Sequence, residues 1–117
     1  MKTVIYHNNQ CSKSRLSLEA VRQLDAEVEV IEYLKNPPSA KELKSILKML
    51  QIPAEALIRK GEAIFVENFK GKTLTEAEWI ESMVQFPKLI ERPIVIHGNK
   101  AAIGRPIEKV LELFDKK

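Results

Sequence analysis

The chain has one cysteine, Cys11, among 117 residues. A single thiol excludes an internal disulfide, so this is not a disulfide-stapled secreted domain, and any redox cycle must take its second thiol from another molecule. Histidine is nearly as scarce. His7 and His97 stand far apart, and with one cysteine they make no metal-ligand pattern. No apolar run is long enough to span a bilayer. The apolar patch in MKTVIYHNNQ is too short for the hydrophobic region of a secretory signal. The formal charge of +3 is modest and no stripe of lysine or arginine stands out, so neither nucleic acid nor a membrane is an expected partner. Linkers, repeats and low-complexity stretches are also missing. The expectation is one globular domain over residues 1–117, large enough to bury a core, cytoplasmic and monomeric.

What is present is a series of short periodic segments. Thr3, Val4, Ile5 and Tyr6 suit a buried strand, with a polar loop predicted from His7 to Ser12. From Ser14, the apolar residues Leu18, Val21 and Leu24 mark one face of an amphipathic helix. Val28 to Tyr33 alternates as a second strand, broken by Asn36-Pro37-Pro38, and a parallel crossover joins it to the first. Ser39 with Glu42, and Thr75 with Glu78, have the spacing of capping boxes. The helices they open carry apolar faces of Leu43, Ile46, Leu47 and Leu50, and of Trp79, Ile80, Met83 and Val84, all expected in the core. Between them Pro53 opens a short helix with Ala56, Leu57 and Ile58, and residues 62–72 show no clear period. Pro93–Ile96 and Ala101–Ile103 flank Gly98-Asn99, which suits a hairpin turn. Pro106 then opens a helix with Ile107, Val110, Leu111 and Phe114 on one face. The predicted class is α/β: a mixed four-stranded sheet with a helical insertion, about 39–90, between the second and third strands. A thioredoxin-like domain is one of several topologies this order fits.

The run HNNQCSKSR places Cys11 after a strand and before a helix. A helix N-terminus offers unpaired N–H groups and partial positive charge, which favour a thiolate and bind anions. Lys13, Arg15 and His7 add positive charge nearby in sequence, and Ser12 and Ser14 can donate hydrogen bonds. The plainer alternative is a small buried hydrophobe, as many free cysteines are. The polar neighbours on both sides favour the reactive reading, and His7 matters only through Cys11. Two common thiol motifs are absent: Ser14 stands where C-x-x-C needs its second cysteine, and Ser17 where C-x5-R needs its arginine.

Several ordered motifs carry a family resemblance: YHNNQCSKSR at the start, LIRK at 57–60, ERPIVI at 91–96 and IGRPIEKVLELF at the end. Over essentially its whole length the sequence resembles the glutaredoxin-coupled arsenate reductases, and most closely their short relatives. The resemblance implies a thioredoxin-like fold with a cis peptide at Arg92-Pro93. It implies that Cys11 is the nucleophile, that His7 and Ser14 favour its thiolate, and that Arg59, Arg92 and Arg105 bind the oxyanion. It further implies no bound cofactor or metal, with glutathione and glutaredoxin as external reductants of an arsenate substrate. One departure is Asn9, where the family commonly has a proline that stiffens the turn. Taken singly, each arginine reads as a surface charge. Together they suit a tetrahedral oxyanion, which needs several fixed donors. Lys60 is expected to be a surface charge. Two other functions share the architecture: a thiol oxidoreductase acting on another substrate, and an Spx-like redox regulator that binds RNA polymerase, whose C-x-x-C switch Ser14 argues against.

Overall fold

The computed structural model describes residues 2–24, 27–104 and 108–114. They divide into two compact units, one of Met1–Asn36 with Arg92–Lys117 and one of Pro37–Glu91.

The first unit is built on a four-stranded sheet. β1 (Thr3–His7) and β2 (Glu29–Glu32) are parallel, joined through α1 (Ser12–Leu24). β3 (Ile94–His97) runs antiparallel to β1 on its other side, and β4 (Lys100–Ile103) antiparallel to β3, giving the order β2-β1-β3-β4. This is the mixed sheet the sequence predicts, and the arrangement is thioredoxin-like. The β3–β4 hairpin turns at Gly98-Asn99, where Gly98 takes a positive φ of 64° that a side chain would oppose. Ile5, Val21, Val95 and Val110 are fully buried and form the core, with Leu18, Val28, Val30, Ala102, Leu113 and Phe114 packed against it. Each such side chain, fully buried, contributes roughly 1.5–3 kcal/mol.

Four expectations need correction here. β1 continues through His7, which pairs with Glu32, so the loop begins at Asn8. The helix after it starts at Ser12, and its buried face is Ser14, Ser17 and Val21. Leu24 is exposed, and two serines stand on the inner face where a hydrophobic stripe was expected. The second strand stops at Glu32 because its carbonyl accepts from both Lys35 and Asn36 N–H at 2.9 Å, turning the chain and leaving Tyr33 in the turn. Among the described residues the last helix covers Glu108–Leu111 and passes into a tighter 3-10 turn over Glu112–Phe114. That change of period brings Leu113 and Phe114 toward the core while Leu111 faces out. Pro106 and Ile107, predicted to open this helix, lie outside the described residues.

The second unit is helical. α2 (Ala40–Leu50) and α4 (Glu76–Gln85) are opened by the two predicted capping boxes, Ser39 with Glu42 and Thr75 with Glu78, each with both reciprocal hydrogen bonds formed. Leu43, Ile46 and Leu47 of α2 and Trp79, Ile80 and Met83 of α4 are buried as expected, whereas Leu50 and Val84, near the helix ends, are only half-buried. Between these helices lie a 3-10 turn, Ala54–Leu57, and α3 (Ala63–Asn68), which resolves the stretch without clear period. Phe65 stacks with both Phe69 and Trp79, while Phe69 lies tilted against Trp79 and meets Phe86 edge-on. Ile58, expected to continue the short helix, instead bridges Ile90. The final helix of the first unit, Glu108–Leu111, is α5.

Gly104 closes the first unit tightly. Its N–H donates to the Pro93 carbonyl at 2.8 Å. A Cβ there would lie 2.6 Å from Ser17 Oγ and 2.7 Å from Pro93 Cγ. The serine can rotate away, but the proline ring cannot. Gly104→Ala is therefore expected to lower stability by about 1–3 kcal/mol, measured as a shift in the urea unfolding curve.

Candidate active site

Sheet register decides which residues meet at the end of β1. His7 pairs with Glu32 in parallel, so Tyr33 is the next residue beyond the sheet edge. Tyr6 pairs with Ile94 in antiparallel register, so continuing that register by two residues places Arg92 level with Asn8. The peptide joining Arg92 to Pro93 is cis, as the resemblance implies. Three separate segments thus converge just past the carboxyl end of β1, where open α/β sheets commonly hold ligands.

Cys11 occupies this place. Its carbonyl accepts the first helical hydrogen bond, from Arg15 N–H at 3.0 Å, so it stands at the N-cap of the 13-residue α1. Its side chain is half-buried, not enclosed as a small hydrophobe would be. The turn before it closes without the family's proline: Cys11 N–H donates to the Asn8 carbonyl and Gln10 N–H to Asn8 Oδ1, both at 3.0 Å. Asn8 supplies locally the rigidity that a proline at position 9 would otherwise give.

His7 and Ser14 flank the loop from below. His7 Nδ1 and Ser14 Oγ are 2.7 Å apart, and Ser14 Oγ also accepts Asn8 N–H at 3.0 Å. Both side chains are buried. Burial pushes the imidazole pKa below its ordinary 6.5, outweighing the opposing pulls of the Asn9 side chain and the Glu32 charge. His7 is thereby kept neutral near pH 7, and one of its tautomers donates Nδ1–H to Ser14.

Arg92 is half-buried beside the sulfur. Burial alone would make its guanidinium easier to deprotonate, but its interaction with Cys11 and the negative charge that Tyr33 and Cys11 carry when ionised reverse that, and its pKa is raised. Tyr33, almost fully enclosed at 1% exposure, belongs to the site although its residue pattern marked it only as the end of a strand. The signal for it was not periodicity but register, which needs the paired strands. Arg59 lies in the second unit, where Nη1 donates to Glu91 Oε1 at 3.0 Å and Nε is 3.8 Å from Glu62 Oε2. Neither glutamate was singled out by sequence. Lys60 is exposed and paired with Glu55 at 2.8 Å, the surface charge it was taken for. Arg105 lies outside the described residues. The structure therefore gathers His7, Cys11, Ser14 and Arg92 with Tyr33, and gives Arg59 its own carboxylate partners.

A thioredoxin-like fold with a lone cysteine at a helix N-cap, paired with arginine, defines a class of thiol proteins that lack the second cysteine of a C-x-x-C. Within that class the chain belongs to the ArsC family, whose signature matches residues 6–113. It is 45% identical over 111 residues to the uncharacterized protein YfgD of Escherichia coli, covering 93% of each chain. It is 39% identical to an arsenate reductase of Haemophilus influenzae, covering 97% of this chain and 100% of that one. The solved arsenate reductase of Vibrio cholerae superposes with a TM-score of 0.90 at 40% identity, over 97% of this chain and 98% of that one. Among the described residues no helix is long and apolar enough to cross a membrane.

The lowered His7 pKa has a stability consequence. Between that native value and 6.5 the unfolded chain binds more protons than the folded one, so stability falls as pH drops through this window. Urea unfolding at about pH 7.5 and about pH 5.5 should show a larger loss for the wild type than for His7→Gln, which carries no proton to gain. Equal losses in the two proteins would remove His7 as the source.

Proposed function

We propose that the protein is an arsenate reductase in which the Cys11 thiolate attacks the arsenic of bound arsenate. The observation that carries this reading is the Arg92 guanidinium hydrogen-bonded to Cys11 at the N-cap of α1. The cation and the helix N-terminus both favour thiolate over thiol, and both attract an oxyanion to the same place. Relatives at 35–39% identity that bear the name arsenate reductase support the choice of substrate.

Each residue then has a task. Ser14, accepting from Asn8 N–H and from Nδ1–H of His7, keeps its own hydroxyl proton to donate to the thiolate. Arg92, with Arg59 and Arg105 in the roles the resemblance assigns, stabilises negative charge on the arsenate oxygens as the S–As bond forms and an As–O bond breaks, the oxygen leaving as water. Because the chain has no second cysteine, glutathione supplies the next thiol. Two electrons pass from the thiols to arsenic, which leaves as arsenite, and the resulting Cys11–glutathione disulfide is reduced by glutaredoxin. Such a cycle suits a monomer in a reducing cytoplasm, where both reductants are available.

The test is a coupled assay with arsenate, glutathione and glutaredoxin. The wild type should turn over arsenate, Cys11→Ser should fall to background, and Arg92→Ala should lose about 10²–10³ in kcat/KM. A wild type that oxidises no reductant in response to arsenate would exclude the substrate. Full activity in Cys11→Ser would exclude the mechanism.

A further inference from the structure

The loop that leads to Cys11 forms one wall of a cleft of about 210 Å³, and every residue lining it belongs to the first unit. Asn9 and Gln10 come from the loop, and Glu32, Leu34 and Lys35 from the end of β2 and the turn after it. That turn is closed by the Glu32 carbonyl, which accepts from Lys35 N–H at 2.9 Å and so brings Lys35 back toward Glu32. Their side chains meet only loosely. Lys35 Nζ stays 3.8 Å from Glu32 Oε1, near enough to attract but beyond hydrogen-bond range. Both residues are exposed, and an exposed pair at this separation holds its members weakly. The cleft thus offers an acid and a base side by side, each free to take a stronger partner, with Leu34, 38% exposed, as apolar surface beside them.

Backbone geometry ties this cleft to the sulfur. Cys11 N–H donates to the Asn8 carbonyl at 3.0 Å, which closes a β-turn and keeps the Cα of Cys11 within about 7 Å of the Cα of Asn8, itself part of the lining. A ligand arm lying in the cleft is therefore about one or two residues' length from Cys11, at about 3.3–3.6 Å for each extended residue. The cleft is smaller than the ~300–1,000 Å³ of pockets that enclose whole small-molecule ligands, so what fits is one arm of a larger molecule. An ammonium for Glu32 and a carboxylate for Lys35 are together the free end of an amino acid.

We propose that this cleft holds the zwitterionic amino-acid end of the thiol that follows Cys11 in the cycle, and so selects thiols carrying an ammonium and a carboxylate near the sulfur, as the γ-glutamyl arm of glutathione does, over neutral thiols. The inference rests on the reading of Cys11 as a thiolate resolved by an outside thiol, and it adds where that thiol binds. The same cleft serves a simpler exchange. The Cys11 thiolate attacks one sulfur of glutathione disulfide, a new S–S bond forms as the old one breaks, and the second glutathione leaves as a thiolate that takes its proton from water. The disulfide is itself the oxidant, and its retained half lies in the cleft.

That exchange is the test, because it needs no arsenate and uses the full chain. The rate at which Cys11 is thiolated, read by the mass of the intact protein, is measured with glutathione disulfide and with neutral hydroxyethyl disulfide. Their ratio cancels any change in the reactivity of the sulfur itself. Lys35→Glu should lower the ratio by about tenfold, since attraction for a carboxylate becomes repulsion and each is worth up to about fivefold at an exposed site. Glu32→Gln should lower it by about threefold, and here the sign decides. Glutathione disulfide has more carboxylates than ammonium groups, so steering by net charge alone would make Glu32→Gln faster. A raised or unchanged ratio in Glu32→Gln overturns the proposal, as does an unchanged ratio in Lys35→Glu. The deeper failure looks different. If wild-type Cys11 reacts with neither disulfide, the reading of Cys11 as a reachable thiolate falls and takes the cleft with it. If it reacts with both while the ratio ignores Glu32 and Lys35, only the cleft falls.

Discussion

Between the last residue of β1 and the first turn of α1 runs the buried hydrogen bond of His7 to Ser14, 2.7 Å long, and the position of Cys11 depends on it. His7 is held by the sheet through its pairing with Glu32, and Ser14 by the helix. The four loop residues from Asn8 to Cys11 have little freedom left. Asn8 N–H donates into the same serine oxygen, and the Asn8 carbonyl receives Cys11 N–H. Removing the Ser14 hydroxyl would leave a buried amide and a buried ring nitrogen without a partner, a loss of order 1–3 kcal/mol for each. A polar residue is therefore required on the inner face of α1, at a position where helix periodicity alone would place a hydrophobe. The same helix meets a second constraint one turn later, where Ser17 faces Gly104 and Pro93 at distances that admit no additional carbon.

This explains which parts of the molecule were legible in the residues. The strand residues Thr3 to Tyr6 and Ile94 to Ile96, the hairpin at Gly98-Asn99 and both capping boxes follow from local rules, because turn chemistry and caps are decided by neighbours in sequence. The face of α1 did not follow, since Ser14 and Ser17 are chosen by groups elsewhere in the chain. Cys11 and Arg92 were legible through motifs, and the structure gives the reason they act together: antiparallel register carries Arg92 to the end of β1. Tyr33 has the same origin on the parallel side, but nothing in its immediate neighbours distinguishes it from a strand residue. Glu62 and Glu91 are ordinary surface residue types until the bridge of Ile58 to Ile90 sets them against Arg59.

Arg92 and Tyr33 show how charge is managed near the sulfur. A guanidinium withdrawn from water loses hydration, and here its interactions with Cys11 and Tyr33 offset that loss. Arginine suits this better than lysine, because its guanidinium is more weakly hydrated and stays charged when half-buried. His7, by contrast, is buried in a way that opposes its positive form. The cation beside Cys11 is thus permanent, supplied by a residue that does not titrate in the physiological range, while the imidazole acts as a neutral hydrogen-bonding group.

A lone thiol sets opposite demands on its surroundings. The groups that orient it must be buried to be rigid, and His7, Ser14 and Tyr33 are. In the proposed cycle the sulfur itself must stay reachable, since a second thiol would have to come from another molecule. Cys11 is correspondingly half-buried, and the same loop opens on a cleft of about 210 Å³ lined by His7, Asn8, Asn9, Gln10, Glu32, Leu34 and Lys35. A C-x-x-C protein resolves its disulfide internally and can close over the sulfur once it has reacted. With Ser14 in place of that second cysteine, the hydroxyl takes over the task of positioning, and exposure of Cys11 becomes the condition for completing any redox cycle.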